Sequence, residues 1–520
     1  MRHGYLKNAA LLTGADVMLR LAGMGLRIYL ANALGGEGMG LYQLVLAVYS
    51  LFVTLATAGV SVAATRLMAE ELGQNRAQAR GMLVRLLAAA AGLGCMALAG
   101  QLALAQVAAQ WWLGDVRAAP ALRAAAFGMP WMAVSAVLRG FFVARRQVKP
   151  NVCSQLVEQT VRISAVVLGL GYTAGGPLEV RCAVGMGCTA LSEGISAGIM
   201  LLFYRREARR YFKDAACRAP RQPGRRIWEI LWPVGGGRCL ASALHTAENM
   251  LVPACLGVYL AGAGGRSAAV AQYGSLKGMA LPLLTFPFGL LGSLSVLLMP
   301  EITQAQLRGE QDRLAALLDR MLRLTGYFSA LAAALFWVWG VPLAQGLYGS
   351  GEAGFYLRVL APAMPLMYLE SMVDGAMKGL GEQKAVFRYS VWDSILRIGG
   401  VVALLPRFGM KGFLAVILLS SLYTCAANTG HLLFSSGTQH AFRRWLGAPA
   451  LAAVLAAAAG MALRKLLADG FAARLPLQLA ALGIGGCATT GVFLLAAWPL
   501  GLGEEAAALW VAHRPGRPKK

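Results

Sequence analysis

The sequence predicts an all-α polytopic membrane protein with about fourteen transmembrane helices, built as two parallel six-helix halves followed by two further helices. Three observations carry this prediction. The 520 residues are 58% hydrophobic and only 14% charged, apolar windows of bilayer length follow one another along the chain, and the first part of the sequence recurs in the second. An ordinary soluble protein carries about 25% charged residues, and so apolar a chain cannot hide its surface behind so few. Disorder is excluded on the same ground. The net charge of +24 suggests nucleic acid, but a mean hydropathy of +0.58 does not suit a nucleic-acid binder. The 63 glycines suit membrane helices packed at close range.

A hydrocarbon core of about 30 Å takes about 20 apolar residues per helix. Windows of that size fall near 9–33, 41–65, 83–108, 120–143, 152–172, 180–204 and 229–258. They continue near 268–300, 324–347, 356–377, 387–406, 412–435, 446–467 and 476–499. The first begins like a signal peptide, but Asp16 and Arg20 interrupt it, and its length reads as a retained span. Pro282, Pro287 and the Gly235-Gly236-Gly237 run predict kinks.

The loops sort by charge. Odd-to-even connections carry few basic residues, such as Arg266 in 259–267 and Arg358 in 348–358, and Gly35–Gly40 carries none. Even-to-odd connections carry many: Arg66, Arg76 and Arg80; Arg145, Arg146 and Lys149; Arg308, Arg313, Arg320 and Arg323. The richest runs from Arg205 to Arg226, with nine Lys and Arg against Glu207 and Asp214. The positive-inside rule then places both termini and this loop in the cytoplasm of a multi-pass protein of the bacterial cytoplasmic membrane.

The repeat sets the domains. Tyr42–Glu70 matches Tyr273–Glu301, and Pro130–Val167 matches Pro365–Val402. The second match aligns Gly140 with Gly375, Lys149 with Lys384, Glu158 with Asp393, and Arg162 with Arg397. An even number of spans separates the copies, so the repeat is parallel. The expected organisation is a first half at 1–204, a basic linker at 205–227, a second half at 228–436, and two extra helices with a basic tail at 437–520. Parallel halves place a substrate route between them and rock about it.

Charges inside the spans are the functional candidates. Glu158 with Arg162, and Asp393 with Arg397, are acid-then-base pairs at i,i+4 and read as structural ion pairs. Arg20 can pair with Asp16, whereas Arg27, two turns on, has no acid near it in sequence. Arg238 follows the triple glycine and Lys277 opens the eighth span. Arg20, Arg27, Arg238 and Lys277 are the expected substrate contacts, because desolvated cations suit an anionic, phosphate-bearing ligand. Glu370 and Asp374, with Lys378 a turn further, and Glu248 beside His245, are candidates for ion coupling, as is Glu193. The nine cysteines form no CxxC, so no metal site or disulfide framework is expected. No HExxH, nucleophile elbow, Walker motif or dinucleotide fingerprint occurs; neither enzymatic chemistry nor a cofactor is expected.

The residues GEGMGLYQL (Gly36–Leu44) and AGVSVAATRLMAE (Ala58–Glu70) resemble the stage V sporulation protein B branch of the multidrug/oligosaccharidyl-lipid/polysaccharide (MOP) exporter superfamily. The segment LLTFPFGLLGSLSVLLMPEI (Leu283–Ile302) and the turn GLGEQK (Gly379–Lys384) extend the likeness, which covers about 5–435. The resemblance implies a MATE/MOP-like fold and the flipping of undecaprenyl-pyrophosphate-linked sugar, as in lipid II flippases, for peptidoglycan or polysaccharide assembly. It implies a cavity lined by first-span arginines, matched by Arg20 and Arg27 at a spacing of seven where six is expected. It also implies a cation in the eighth span, where Lys277 replaces arginine, and a groove for the polyprenyl tail formed by the last two spans. Partners are then a lipid-linked oligosaccharide, membrane lipids and, through the 205–226 loop, cell-wall synthesis enzymes; nucleic acid is not among them. Alternating access would close the halves around Gly59, Gly140, Gly289 and Gly375. A cation-coupled multidrug antiporter of the same fold is the alternative, and a non-transporting scaffold is a third reading.

Overall fold

The computed structural model describes residues 2–74, 76–212, 222–261, 264–438, 441–466 and 475–503. The centre of the basic linker, at 213–221, and the basic tail beyond 503 lie outside the described residues. Among the described residues all regular structure is helical. Each of the fourteen apolar windows falls on a helix or a run of helices. Among the described residues, seven helices are long and apolar enough to cross a membrane, or eight if Val116–Ala126 and Met129–Ala144, bent by 42°, form one span. Of the long helices, Gln383–Ser436 holds two of the expected windows, and Arg2–Thr57 holds the first and most of the second. Arg2–Thr57 bends at Gly35 (φ 71°, ψ −177°) and Gln383–Ser436 at Gly409 (φ 57°, ψ −141°). Both are left-handed values that glycine adopts without strain.

Proline accounts for the broken region of the eighth window. There the chain runs as Gly265–Tyr273, a π-helical turn Gly274–Ala280, Leu281–Thr285 and Phe288–Leu307, with Pro282 and Pro287 at the joints. The triple glycine behaves differently from expectation. Pro223–Tyr259 runs through Gly235–Gly237 as one helix, with no residue of non-helical backbone in it. Glycine permits a break but does not force one; the close approach to this helix lies a turn earlier, where an added Cβ at Gly59 would lie 2.8 Å from Leu231 Cα.

Contacts group the chain into two compact units, Met1–Gly274 and Ser275–Lys520. In the first unit, Lys149–Tyr172 lies along Leu178–Tyr211, and Arg76–Val107 along Met129–Ala144. Small residues set these distances. A Cβ at Gly94 would stand 2.7 Å from Pro130 Cα, and one at Gly140 would stand 2.8 Å from Ala64 Cβ. One end of the unit is tied by Arg117, whose guanidinium meets Glu37 and Asp115 at 2.8 Å each. Elsewhere Arg145 meets Glu207 at 2.5 Å and stacks on Tyr211, and Arg226 bridges Glu70 (2.9 Å) and Glu71. Some basic residues that mark topology in the sequence are therefore also structural partners.

The second unit is organised by Gln311–Tyr348, which packs on Gly351–Leu360, Met364–Gly379, Ala448–Leu466 and Leu475–Ala497. Its core with the last two helices contains Tyr327, Ala330, Ala334, Ala452, Ala456, Phe493 and Ala497. Buried polar tips find partners there. Trp445 Nε1 donates to Asp319 Oδ1 (2.6 Å), Trp339 Nε1 to Thr489 Oγ1 (3.0 Å), and Tyr327 Oη to the Leu500 carbonyl (2.6 Å).

Candidate functional site

The first unit holds a charge network that the i,i+4 spacing anticipates in part. Glu158 and Arg162 project from one face of Lys149–Tyr172 and meet at 2.8 Å. Arg162 also reaches Glu193 (2.9 Å) and donates to Ser192 Oγ (3.2 Å), both on Leu178–Tyr211. Arg139 closes the network on Glu158 at 3.0 Å. The two acids are largely buried, at 14% and 8% side-chain exposure. Two arginines and two glutamates balance, so the network is neutral. Such a network contributes modestly to stability while intact and costs about 3–5 kcal/mol when one partner is removed. Tyr42, hydrogen-bonded to Thr189, lies within electrostatic reach of both Arg162 and Arg27.

The expected substrate contacts divide between the units. Arg20 pairs with Asp16 at 2.9 Å, and both side chains are about half exposed. Arg27 is exposed and makes no ion pair among the described residues. Arg238 donates to the Ala58 carbonyl at 3.3 Å, beside Gly59. Glu248, on the same helix as Arg238, is buried 3.9 Å from the exposed His245. In the second unit, Lys277 occupies the π-helical turn Gly274–Ala280, a distortion often found at functional positions.

The second unit gathers its own polar cluster. Asp393 accepts a hydrogen bond from Ser420 (2.5 Å), and Glu370 bonds Thr424 within electrostatic reach of Asp393, Arg397 and Asp374. Lys378 holds Asp374 at 2.5 Å. Glu370, a coupling candidate, thus lies within electrostatic reach of Asp393 and Arg397, while Asp374 pairs with Lys378 on its own helix. The i,i+4 rule found the two ends of these networks but missed Arg139, Ser192, Ser420 and Thr424. A signal for Arg139 was present. The offset that aligns Glu158 with Asp393 also aligns Arg139 with Asp374, so each copy places a charge at that point.

Beside the second cluster lies an apolar groove of about 590 Å³. Gly326, Ala333 and Trp337 line one wall, Pro362 and Leu366 the floor, and Ala450, Ala457 and Met461 the other wall. It involves the thirteenth window and draws its other lining from the ninth and tenth, where the family resemblance implied a groove formed by the last two spans.

Residues 5–263 match the protein family described as polysaccharide biosynthesis protein. Over most of its length the chain is similar to stage V sporulation protein B of Bacillus subtilis (strain 168), at 28% identity over 428 residues covering 78% of this chain and 79% of that protein. It is similar also to sporulation protein YkvU of the same organism, at 22% over 453 residues, 84% of this chain and 98% of that one. Its fold is similar to that of the lipid II flippase MurJ in an inward closed conformation (TM-score 0.72, 12% identity, 94% and 98% coverage). An inward-facing multidrug resistance MATE family transporter of the MOP superfamily gives TM-score 0.66 at 14% identity, with 83% and 100% coverage. The chain is a multi-pass membrane protein of this transporter fold, homologous to stage V sporulation protein B, and it is not an enzyme.

Proposed function

For a chain whose residues 5–263 belong to the polysaccharide biosynthesis protein family, we propose that its work is to flip an undecaprenyl-pyrophosphate-linked sugar, lipid II or a polysaccharide precursor, across the bacterial cytoplasmic membrane. The observation that carries the reading is Arg27. It stands in an apolar helix two turns beyond the neutralised Asp16–Arg20 pair, exposed and without an ion-pair partner among the described residues. An uncompensated guanidinium at such depth is costly unless an anion visits it, and arginine suits the paired oxygens of a pyrophosphate. Arg20, Arg238 and Lys277 share this role in the proposal. The groove along Ala450–Met461 takes the polyprenyl tail, and both termini face the cytoplasm. Alternating access moves the head group while the tail stays in lipid. The lipid II flippase among the similar folds supports this substrate class.

A cation-coupled antiporter of the same fold has its support in the buried acids Glu248 and Glu370 and in the MATE likeness. Flipping of fluorescent lipid II by the full chain in proteoliposomes separates the two. The flippase reading expects R27A to lose at least tenfold in rate and R20A to lose less, since Arg20 has Asp16. Full flipping by both variants refutes the site, and cation-driven efflux of organic cations without lipid flipping favours the antiporter.

A further inference from the structure

The internal repeat extends to the outer surface of the two units. The first unit carries an apolar groove of about 610 Å³ whose walls come from the fourth and sixth windows. Trp131, Gly187, Ala190, Leu191 and Gly194 line it. The offset that aligns Pro130 with Pro365 carries these five onto Leu366, Leu422, Cys425, Ala426 and Thr429 of the second unit. All five counterparts line one cavity there, and it is closed down to about 110 Å³. What closes it is protein: Phe442, Trp445 and Leu446, at the entry to the last two helices, belong to its lining. Trp445 is 2% exposed, and its Nε1 donates to Asp319. In the second unit this surface is therefore covered by a further helix. In the first, among the described residues, Trp131 and Leu191 stay about half exposed.

The glycines of the first groove are not required by the packing of the chain itself. A Cβ at Gly187 would meet Ala124 Cβ at 3.8 Å, and one at Gly194 would meet Trp131 Cδ1 at 3.7 Å, both ordinary van der Waals distances. Gly94 and Gly140 differ, since a Cβ there would collide with a packed helix at 2.7 and 2.8 Å. Glycine is a poor helix former, and Gly187, Ala190 and Gly194 share one face of their helix. The floor is also cut deeper than in the second unit: Gly187 stands for Leu422, Ala190 for Cys425 and Gly194 for Thr429. A phospholipid chain, flexible and as apolar as leucine, gains little from such gaps, whereas a rigid helix gains close backbone approach. We propose that this groove is the docking seat for a transmembrane helix of a partner membrane protein, one presenting aromatic and aliphatic side chains at i, i+3 and i+4 as Phe442, Trp445 and Leu446 do. The seat does not depend on which substrate is carried, because it shares no residue with the charged sites or with the groove of the second unit.

A peptide of residues 441–466, the covering helix of the second unit, is the probe. Dye-labelled and titrated against the full chain in lipid nanodiscs, it is expected to bind saturably. Trp445→Ala within the peptide, which leaves the protein untouched, should weaken binding at least about tenfold, as loss of a central aromatic anchor does. G194W, which fills the seat from the protein side, should do the same, and W131A should weaken binding severalfold. No saturable binding to the wild type overturns the proposal, as does binding unchanged in both protein variants, which places the peptide elsewhere. Two other occupants would also overturn it. Native mass spectrometry that finds a wild-type dimer and a G194W monomer assigns the surface to a second copy. A phospholipid that stays on the wild type at saturating peptide and is missing from G194W assigns it to lipid. The binding assay needs no transport, so its failure and that of the flippase reading are separate results.

Discussion

Replacing Arg162 by alanine is the most informative single change to the first unit. Arg162 makes three contacts, to Glu158 (2.8 Å), Glu193 (2.9 Å) and Ser192 (3.2 Å). After R162A, Glu158 keeps Arg139 at 3.0 Å, but Glu193, at 8% exposure, loses its only ion-pair contact among the described residues. An uncompensated buried carboxylate costs about 3–5 kcal/mol, which in a chain of 520 residues lowers the unfolding midpoint by about 3–5 °C. The companion change is E193Q, which removes the stranded charge. The double variant R162A/E193Q should recover about half of the loss, because an amide can be left beside Glu158 at less cost than an ion. Thermal unfolding of the detergent-purified protein, followed by intrinsic fluorescence across the four-member cycle, measures the coupling. A fall of less than about 2 °C for R162A, or strict additivity in the double variant, would refute the claim that these four residues act as one network.

Three further outcomes follow from the packing. G140A forces a methyl to within 2.8 Å of Ala64 Cβ and 3.0 Å of Thr65 N, so it should cost about 1–3 kcal/mol; an unchanged midpoint would contradict the close approach. W445F removes the 2.6 Å hydrogen bond to Asp319 from a fully enclosed side chain and should lower stability by about 1–3 kcal/mol, read in the same unfolding assay. At the connection after Arg76–Val107, burial pushes the Asp115 carboxyl up, but its bonds to the Arg117 side chain and backbone outweigh this and hold it below the usual carboxylate range. A depressed native value makes the contribution complete above the unfolded value near 4 and lost as pH falls below it. Hydrogen exchange of the 113–118 amides should therefore quicken below about pH 4 in the wild type, and D115N should abolish that dependence.

Much of the architecture is legible in the sequence because a bilayer imposes a length on every apolar segment, and each window indeed falls on helix. The division between helices is harder to read. Gly35 and Gly409 each turn the chain with a single residue, so neighbouring windows merge into one long helical run. The glycine run at 235–237 has the same composition signal and remains helical, because glycine permits a positive φ without requiring it. The site is legible where partners share a helix, as with Glu158–Arg162, Asp16–Arg20 and Asp374–Lys378. It is obscure where they do not. Arg139 and Glu193 come to Glu158 and Arg162 from other helices, at separations no local spacing reports.

The balance of charge in the first-unit network has an electrical consequence. A transmembrane potential does work only on net charge, about 2.3 kcal/mol per elementary charge per 100 mV. Moving Arg139, Glu158, Arg162 and Glu193 together through any part of the field therefore couples to it hardly at all, and the same holds for the Asp16–Arg20 pair. Arg27 has no such ion-pair partner among the described residues. An empty protein carries its charge through the field, whereas one loaded with a pyrophosphate carries a charge of opposite sign, so voltage would favour opposite movements of the two forms. On the proposed function, Arg27 therefore lets the membrane potential tell the loaded from the unloaded half of a transport cycle.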